Sequence, residues 1–139
     1  MGQGAGDKGR GDFNKPTILV NRTIASFKDL RVWTEGVELV KEIYALCGQL
    51  PKEELYGLAS QMKRAAVSVP SNIAEGHSRN HRAEYRQSTY IAIGSLAELE
   101  TQLFIARELH LFRDDQIHPV LERVDRLRAM LITLGRKLS

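Results

Sequence analysis

The chain has few of the residues that build disulfide frameworks, metal knuckles or membrane spans. Its 139 residues include one cysteine, Cys47, which excludes an intrachain disulfide and a metal site made of several cysteines. No apolar run approaches the roughly 20 residues that cross a bilayer. The apolar stretch at residues 17–20 is too short for the core of a secretory signal. We therefore expect a cytoplasmic protein that makes no membrane contact.

Strong charge of one sign is also absent. The formal net charge is +3, which allows an anionic partner without requiring one. Hydrophobic residues make up 42% of the chain and charged residues 27%, which is the composition of an ordinary globular domain. The length is sufficient for a single core.

The patterns of common catalytic and metal sites are missing too. No glycine-rich phosphate loop follows a strand pattern, and Cys47 lies in an apolar stripe, where an inert core role is expected. His77, His81 and Glu84 could face one metal ion only if a single helix ran through all three. We expect no enzymatic activity, no cofactor and no bound metal.

Composition divides the chain into two parts. In residues 1–25, glycines alternate with polar residues, so this segment cannot bury enough apolar area to offset the entropy lost on ordering. We expect a flexible, glycine-rich N-terminal tail there. Residues 26–139 are expected to form the folded domain.

Apolar residues recur at helical spacing in four segments of that domain. The segments begin after Ser26, near residue 52, near residue 82 and at Asp114 or Asp115, and Pro51 ends the first. Alternation with a period of two is absent, and the connections are short. The pattern predicts an all-α fold, an antiparallel up-down four-helix bundle. In the first helix, the expected core series is Leu30, Trp33, Val37, Val40, Tyr44 and Cys47, and it is widened by Leu39, Ile43, Leu46 and Leu50.

Pro70 lies inside the second segment. A proline in a helix removes one backbone donor and clashes with the preceding turn, so we expect this helix to be kinked or broken. The residues around Pro70 are small, which would allow a neighbouring helix to approach closely. They are Ala65, Ala66, Ser68, Ser71, Ala74 and Gly76.

The first and third helices have more apolar surface than a single core seam needs. In the third helix, Tyr90, Ile93, Ala97 and Phe104 form a second apolar face. A small monomer rarely exposes a large contiguous apolar patch. We therefore expect a homo-oligomer with closed cyclic symmetry.

Basic residues are concentrated near the end of the second helix and the start of the third. A cyclic assembly would repeat them, and affinity for phosphates grows with the number of charges that are neutralised. Tyr85 and Tyr90 could stack on unpaired bases. The alternative is a solvated basic connection with buried tyrosine rings. The candidate nucleic-acid-binding residues are Lys63, Arg64, Arg79, Arg82 and Arg86.

Several blocks occur together in a fixed order: FKDLRVW at 27–33, LPKEELYGL at 50–58, RAAVSVPSNIAEG at 64–76 and GSLAELETQL at 94–103. With these blocks, residues 27–112 resemble the small bacterial four-helix-bundle family whose founding members are encoded within intervening sequences of 23S rRNA genes. The chain is also similar to the accessory proteins of diversity-generating retroelements, which work with a reverse transcriptase and its RNA.

The resemblance implies a ring-like homopentamer without catalytic residues. Together with the candidate basic residues, the resemblance predicts a non-enzymatic accessory protein that binds RNA, DNA or a ribonucleoprotein. The alternative is a protein-protein scaffold, or an accessory subunit that binds the reverse transcriptase of a diversity-generating retroelement.

Overall fold

Four α-helices make up most of residues 26–139, the part of the chain described by the structure, a computed structural model. Short 3-10 helices at Phe27–Asp29 and Lys52–Glu54 precede the first and second of them. No strand occurs within this range, so the all-α class is confirmed. None of the helices described has an apolar stretch that could span a bilayer. The tail predicted at residues 1–25 lies outside the described part. The helices are α1 Arg31–Cys47, α2 Leu58–Ser78, α3 Arg82–Glu108 and α4 Asp114–Lys137.

Each helix runs antiparallel to its two neighbours. Gly36, early in α1, lies against Pro70, late in α2. At the other end of this pair, the Cys47 thiol lies 3.8 Å from the carbonyl oxygen of Ala59. The same reversal holds between α2 and α3, between α3 and α4, and between α4 and α1. Within residues 26–139, no Cα atom of α1 lies within 8 Å of one in α3, and none of α2 lies within 8 Å of one in α4, so these pairs are diagonal and the four helices form an up-down bundle.

The buried stripe of α1 is centred on residues that were expected only to widen the predicted series. Leu39, Ile43 and Leu46 are buried there, and Cys47 of the main series is buried as predicted. Tyr44, predicted to lie in the core, is 48% exposed. Its placement was wrong because α1 has two interleaved apolar series at helical spacing, and the sequence does not show which of them faces the bundle.

α2 continues without interruption through Pro70, so the predicted break is wrong, whereas the predicted kink stays a prediction. Pro70 is buried and faces α1, where a Cβ atom at Gly36 would lie only 3.3 Å from the Cβ atom of Pro70. On the α3 side, the hydroxyls of Ser68 and Ser95 are 2.8 Å apart. The small residues of this block therefore bring both neighbouring helices close to α2.

Two helix starts and one N-cap differ from those predicted. α1 begins at Arg31 instead of directly after Ser26, because the chain first forms the 3-10 turn Phe27–Asp29. α2 begins at Leu58 instead of near residue 52, because a 3-10 turn and the non-helical backbone of Gly57 intervene. α4 has Arg113 as its N-cap residue instead of an aspartate. The Gln116 side chain accepts a hydrogen bond from the Arg113 backbone N–H at 2.7 Å.

Replacing Gly76 with Ala should lower the free energy of unfolding. A Cβ atom at position 76 would lie 2.6 Å from the Cβ atom of Ser88 and 3.3 Å from the backbone of Tyr85. Such overpacking costs about 1–3 kcal/mol, more than the helix propensity gained. Urea denaturation measures the change. Gly48→Ala is the control, since its Cβ atom would meet nothing closer than 3.5 Å. Equal stability of Gly76→Ala and the wild type would contradict this packing.

Candidate nucleic-acid interface

The structure separates the five candidate basic residues into two groups. Lys63 and Arg64 lie in the first half of α2. Arg79 follows the last residue of α2, and Arg82 and Arg86 lie in the first turns of α3. Position 79 is about 24 Å along the α2 axis from position 63, at 1.5 Å per residue. The five residues therefore form two separate groups instead of the single cluster that was expected.

Arg82 and Arg86 bind the end of α4. The Arg82 guanidinium donates a hydrogen bond to the carbonyl oxygen of Lys137, and Arg86 Nε donates to the Ser139 hydroxyl at 3.0 Å. The last carbonyls of a helix have no partner within the helix, and the negative end of its dipole favours cations. These two arginines therefore stabilise the C-terminal end of α4.

Arg79 is paired with two carboxylates. Its guanidinium lies 3.0 Å from the Glu75 carboxylate and 3.8 Å from that of Glu84. The hydrogen bond and the charge of Glu75, and then the charge of Glu84, raise the pKa of Arg79. A phosphate at this position would have to compete with both acids.

Lys63 and Arg64 have no carboxylate partner among residues 26–139. The Lys63 ammonium lies 4.8 Å from the centroid of the Tyr44 ring, a cation-π contact. Arg64 donates to the Ser60 hydroxyl at 3.4 Å. Their positive charges therefore remain available to an anionic ligand.

These two cations line a shallow groove of about 720 Å³ across the outer surface of α2. Two exposed tyrosines lie beside them: Tyr44 is 48% exposed and Tyr56 is 91% exposed. Sequence reasoning assigned Tyr44 to the core and gave Tyr56 no role. The residues that line this α2 groove are Tyr44, Leu55, Tyr56, Ser60, Lys63, Arg64, Val67 and Ser68.

The two tyrosines predicted to stack on bases are engaged within the chain. The Tyr85 ring makes an edge-to-face contact with His77 at 5.5 Å, and its buried hydroxyl has no hydrogen-bond partner within residues 26–139. Burial raises the pKa of Tyr85. A Cβ atom at Gly135 would come within 2.8 Å of the Tyr90 ring. Both rings pack against neighbouring elements, but Tyr90 is still 41% exposed, so the alternative of buried tyrosine rings does not hold for Tyr90.

The turn between α2 and α3 rules out the helical spacing proposed for a metal site. α2 ends at Ser78, α3 begins at Arg82, and Asn80 between them has a φ of 60°. His77 and His81 are therefore not on one continuous helix. Within residues 26–139, no group of three or more histidine, cysteine or acidic side chains is placed to hold a metal ion.

Two arginines of α4 bind acidic residues on neighbouring helices. Arg123 bonds to Glu35 and, at 2.9 Å, to Glu42, both in α1. Arg128 bonds to Glu100 in α3. Arg123 and Arg128 are mostly buried, so their charges hold the bundle together and offer little to a ligand.

The chain was compared with known families and proteins. A model of the family described as 23S rRNA-intervening sequence protein matches residues 28–133. The chain belongs to this family. The match confirms the resemblance carried by the sequence blocks, and a search of curated proteins found no match. For this member of the 23S rRNA-intervening sequence family, the relation to retroelement accessory proteins stays a prediction, as does nucleic-acid binding by the five basic residues.

Replacing Arg82 with Ala should loosen the end of α4. The variant loses a charge-assisted bond to a terminal carbonyl, so we expect the free energy of unfolding to fall by about 1 kcal/mol. Faster hydrogen exchange in the last turn of α4 should accompany this change. Arg126→Ala is the matched control, because Arg126 is exposed and surface substitutions change stability by less than about 0.5 kcal/mol. Identical exchange in both variants would contradict a capping role.

Proposed function

We propose that this chain is a non-enzymatic, homo-oligomeric RNA-binding accessory protein. Its subunits associate through the outer face of α3, and Lys63 and Arg64 bind phosphates of the RNA. The observation that carries the proposal is a pair of adjacent cations that have no carboxylate partner in the described part of the chain and lie in a groove with two exposed tyrosines. The family description, which refers to an intervening sequence of 23S rRNA, supports RNA as the ligand.

The outer face of α3 is the best candidate for contact between subunits. From residue 87 to residue 105, nine residues of α3 are exposed, and only Glu98 among them is charged. Ile91 is 48% exposed, Phe104 37% and Ile105 44%. Because a small monomer rarely exposes a continuous apolar stripe of this length, a second copy of the chain is its expected partner.

Gly94 lies in the middle of this stripe. A glycine inside a helix costs about 1 kcal/mol relative to alanine, and packing among residues 26–139 does not require one at this position. Apart from the adjoining residues and backbone of α3 itself, a Cβ atom at position 94 would meet no atom of residues 26–139 within 4 Å. Glycine allows a second backbone to approach closely, so Gly94 supports close contact with a helix of another subunit.

Assembly and RNA binding can act together because they use different residues. None of the residues that line the α2 groove belongs to α3. A closed ring, for which the family resemblance implies five subunits, would present the groove once per subunit. Repetition multiplies the number of phosphates bound, and with it the affinity and its dependence on salt.

The variant Lys63→Ala/Arg64→Ala should bind RNA about ten-fold or more weakly at 0.1 M salt, because each subunit would neutralise two fewer phosphates. The slope of log affinity against log salt concentration should also become shallower. The expected change in slope is about 0.7 for each phosphate of a single-stranded RNA that is no longer neutralised. Fluorescence anisotropy of a labelled RNA over a range of salt concentrations measures both effects.

The control for this variant is Arg126→Ala/Arg136→Ala, which removes the same charge from exposed positions of α4. Equally weakened binding in the two variants would show that net charge alone governs affinity. Wild-type affinity that does not change with salt would contradict the electrostatic mechanism.

Replacing Ile91 with Glu should dissociate the oligomer into folded monomers, because a charge would be buried between subunits without a partner. Light scattering measures the mass, and circular dichroism checks that the helices remain. Leu55→Glu is the control, since Leu55 is also 48% exposed but lies outside α3. A monomeric wild type, or an unchanged mass of Ile91→Glu, would contradict assembly through α3.

A protein partner is the alternative to RNA, and a reverse transcriptase is the partner that the resemblance to retroelement accessory proteins suggests. Capture of such a partner that survives nuclease treatment would favour the alternative. Capture that nuclease abolishes would favour RNA binding.

A further inference from the structure

Tyr56 is the most exposed of the large hydrophobic side chains described, with 91% of its surface open to solvent. It therefore contributes little to the core of its own subunit. The neighbouring Leu55 is 48% exposed. Both residues belong to the sequence block at 50–58, in which Leu50 and Leu58 pack against the core whereas Tyr56 is open to solvent. An exposed aromatic beside further apolar surface is typical of a binding site.

The turn that carries Tyr56 is held by the backbone. The Leu55 N–H donates to the Lys52 carbonyl at 3.1 Å, and the Gly57 N–H donates to the Glu54 carbonyl at 3.2 Å. α2 begins directly afterwards at Leu58. Tyr56 is thus fixed at the edge of the α2 groove by an ordered turn, which limits the entropy lost when a ligand binds.

The α2 groove combines the two features that single-stranded nucleic acids require. Lys63 and Arg64 supply positive charge for the backbone phosphates, and the Tyr56 ring supplies a flat face for a base. Val67, which is 39% exposed, adds apolar surface to the same groove. The Tyr44 ring is already covered on one face by Lys63, so Tyr56 is the tyrosine free to stack.

We infer that the α2 groove binds unpaired nucleotides of single-stranded RNA, with a base stacked on Tyr56 and the adjoining phosphates held by Lys63 and Arg64. This inference rests on the proposed function and restricts it to one form of RNA. Bases in a duplex are stacked on each other and cannot reach a side chain on the protein surface, so a duplex would contact only the two cations.

The test compares an unstructured 20-nucleotide RNA with a duplex of the same sequence. Tyr56→Leu keeps apolar bulk but removes the flat ring, so its affinity for the single strand should fall by about five-fold or more, as expected when stacking on a base is removed. Its affinity for the duplex should not change. Tyr56→Phe keeps the ring and should bind the single strand like the wild type. Because the side chain is exposed, neither substitution disturbs the fold.

Three outcomes would overturn the inference while leaving RNA binding intact. They are an unchanged affinity of Tyr56→Leu for the single strand, an equal fall in its affinity for both RNAs, and the same fall in Tyr56→Phe. Failure of the wild type to bind either RNA would instead overturn the proposed function, and the inference with it.

Discussion

The rest of the structure depends on the close approach of α2 to both of its neighbours. Pro70 packs on Gly36 of α1, and Gly76 faces Ser88 of α3 at a distance that leaves no room for a Cβ atom. Because small residues occupy these positions, the larger side chains Met62, Val69 and Ile73 are completely buried. The opposite side of α2 consequently faces outward, and this side carries Lys63 and Arg64.

Pairing within the chain decides which cations are available to a ligand. Arg82 and Arg86 bind the end of α4, Arg79 binds two acids, and Arg123 binds two glutamates of α1. Each of these interactions would have to be broken or shared before a phosphate could bind. The net charge of +3 therefore says little about where an anion binds. The positions of Lys63 and Arg64, which have no carboxylate partner within residues 26–139, are more informative.

The helical spacing of apolar residues was sufficient to predict four antiparallel helices, and the ordered sequence blocks were sufficient to predict the family. Spacing alone could not show which side of α1 faces the core. Tyr44 and Ile43 both belong to apolar series at helical spacing, and only their packing in the bundle distinguishes the buried residue from the exposed one. The candidate site was predicted in part. Lys63 and Arg64 were identified, but the capping roles of Arg82 and Arg86 depend on bonds to Lys137 and Ser139, more than 50 residues away in sequence. Tyr56 gave no signal, because periodicity does not mark a residue in a turn.

The most direct test of the account is to locate the bound RNA on the protein. An RNA that contains 4-thiouridine would be cross-linked by light to the wild-type protein, and the modified peptides would be identified by mass spectrometry. The account predicts cross-links in residues 55–68, around Tyr56, Lys63 and Arg64. Cross-links confined to residues 79–86 or to α4 would contradict it.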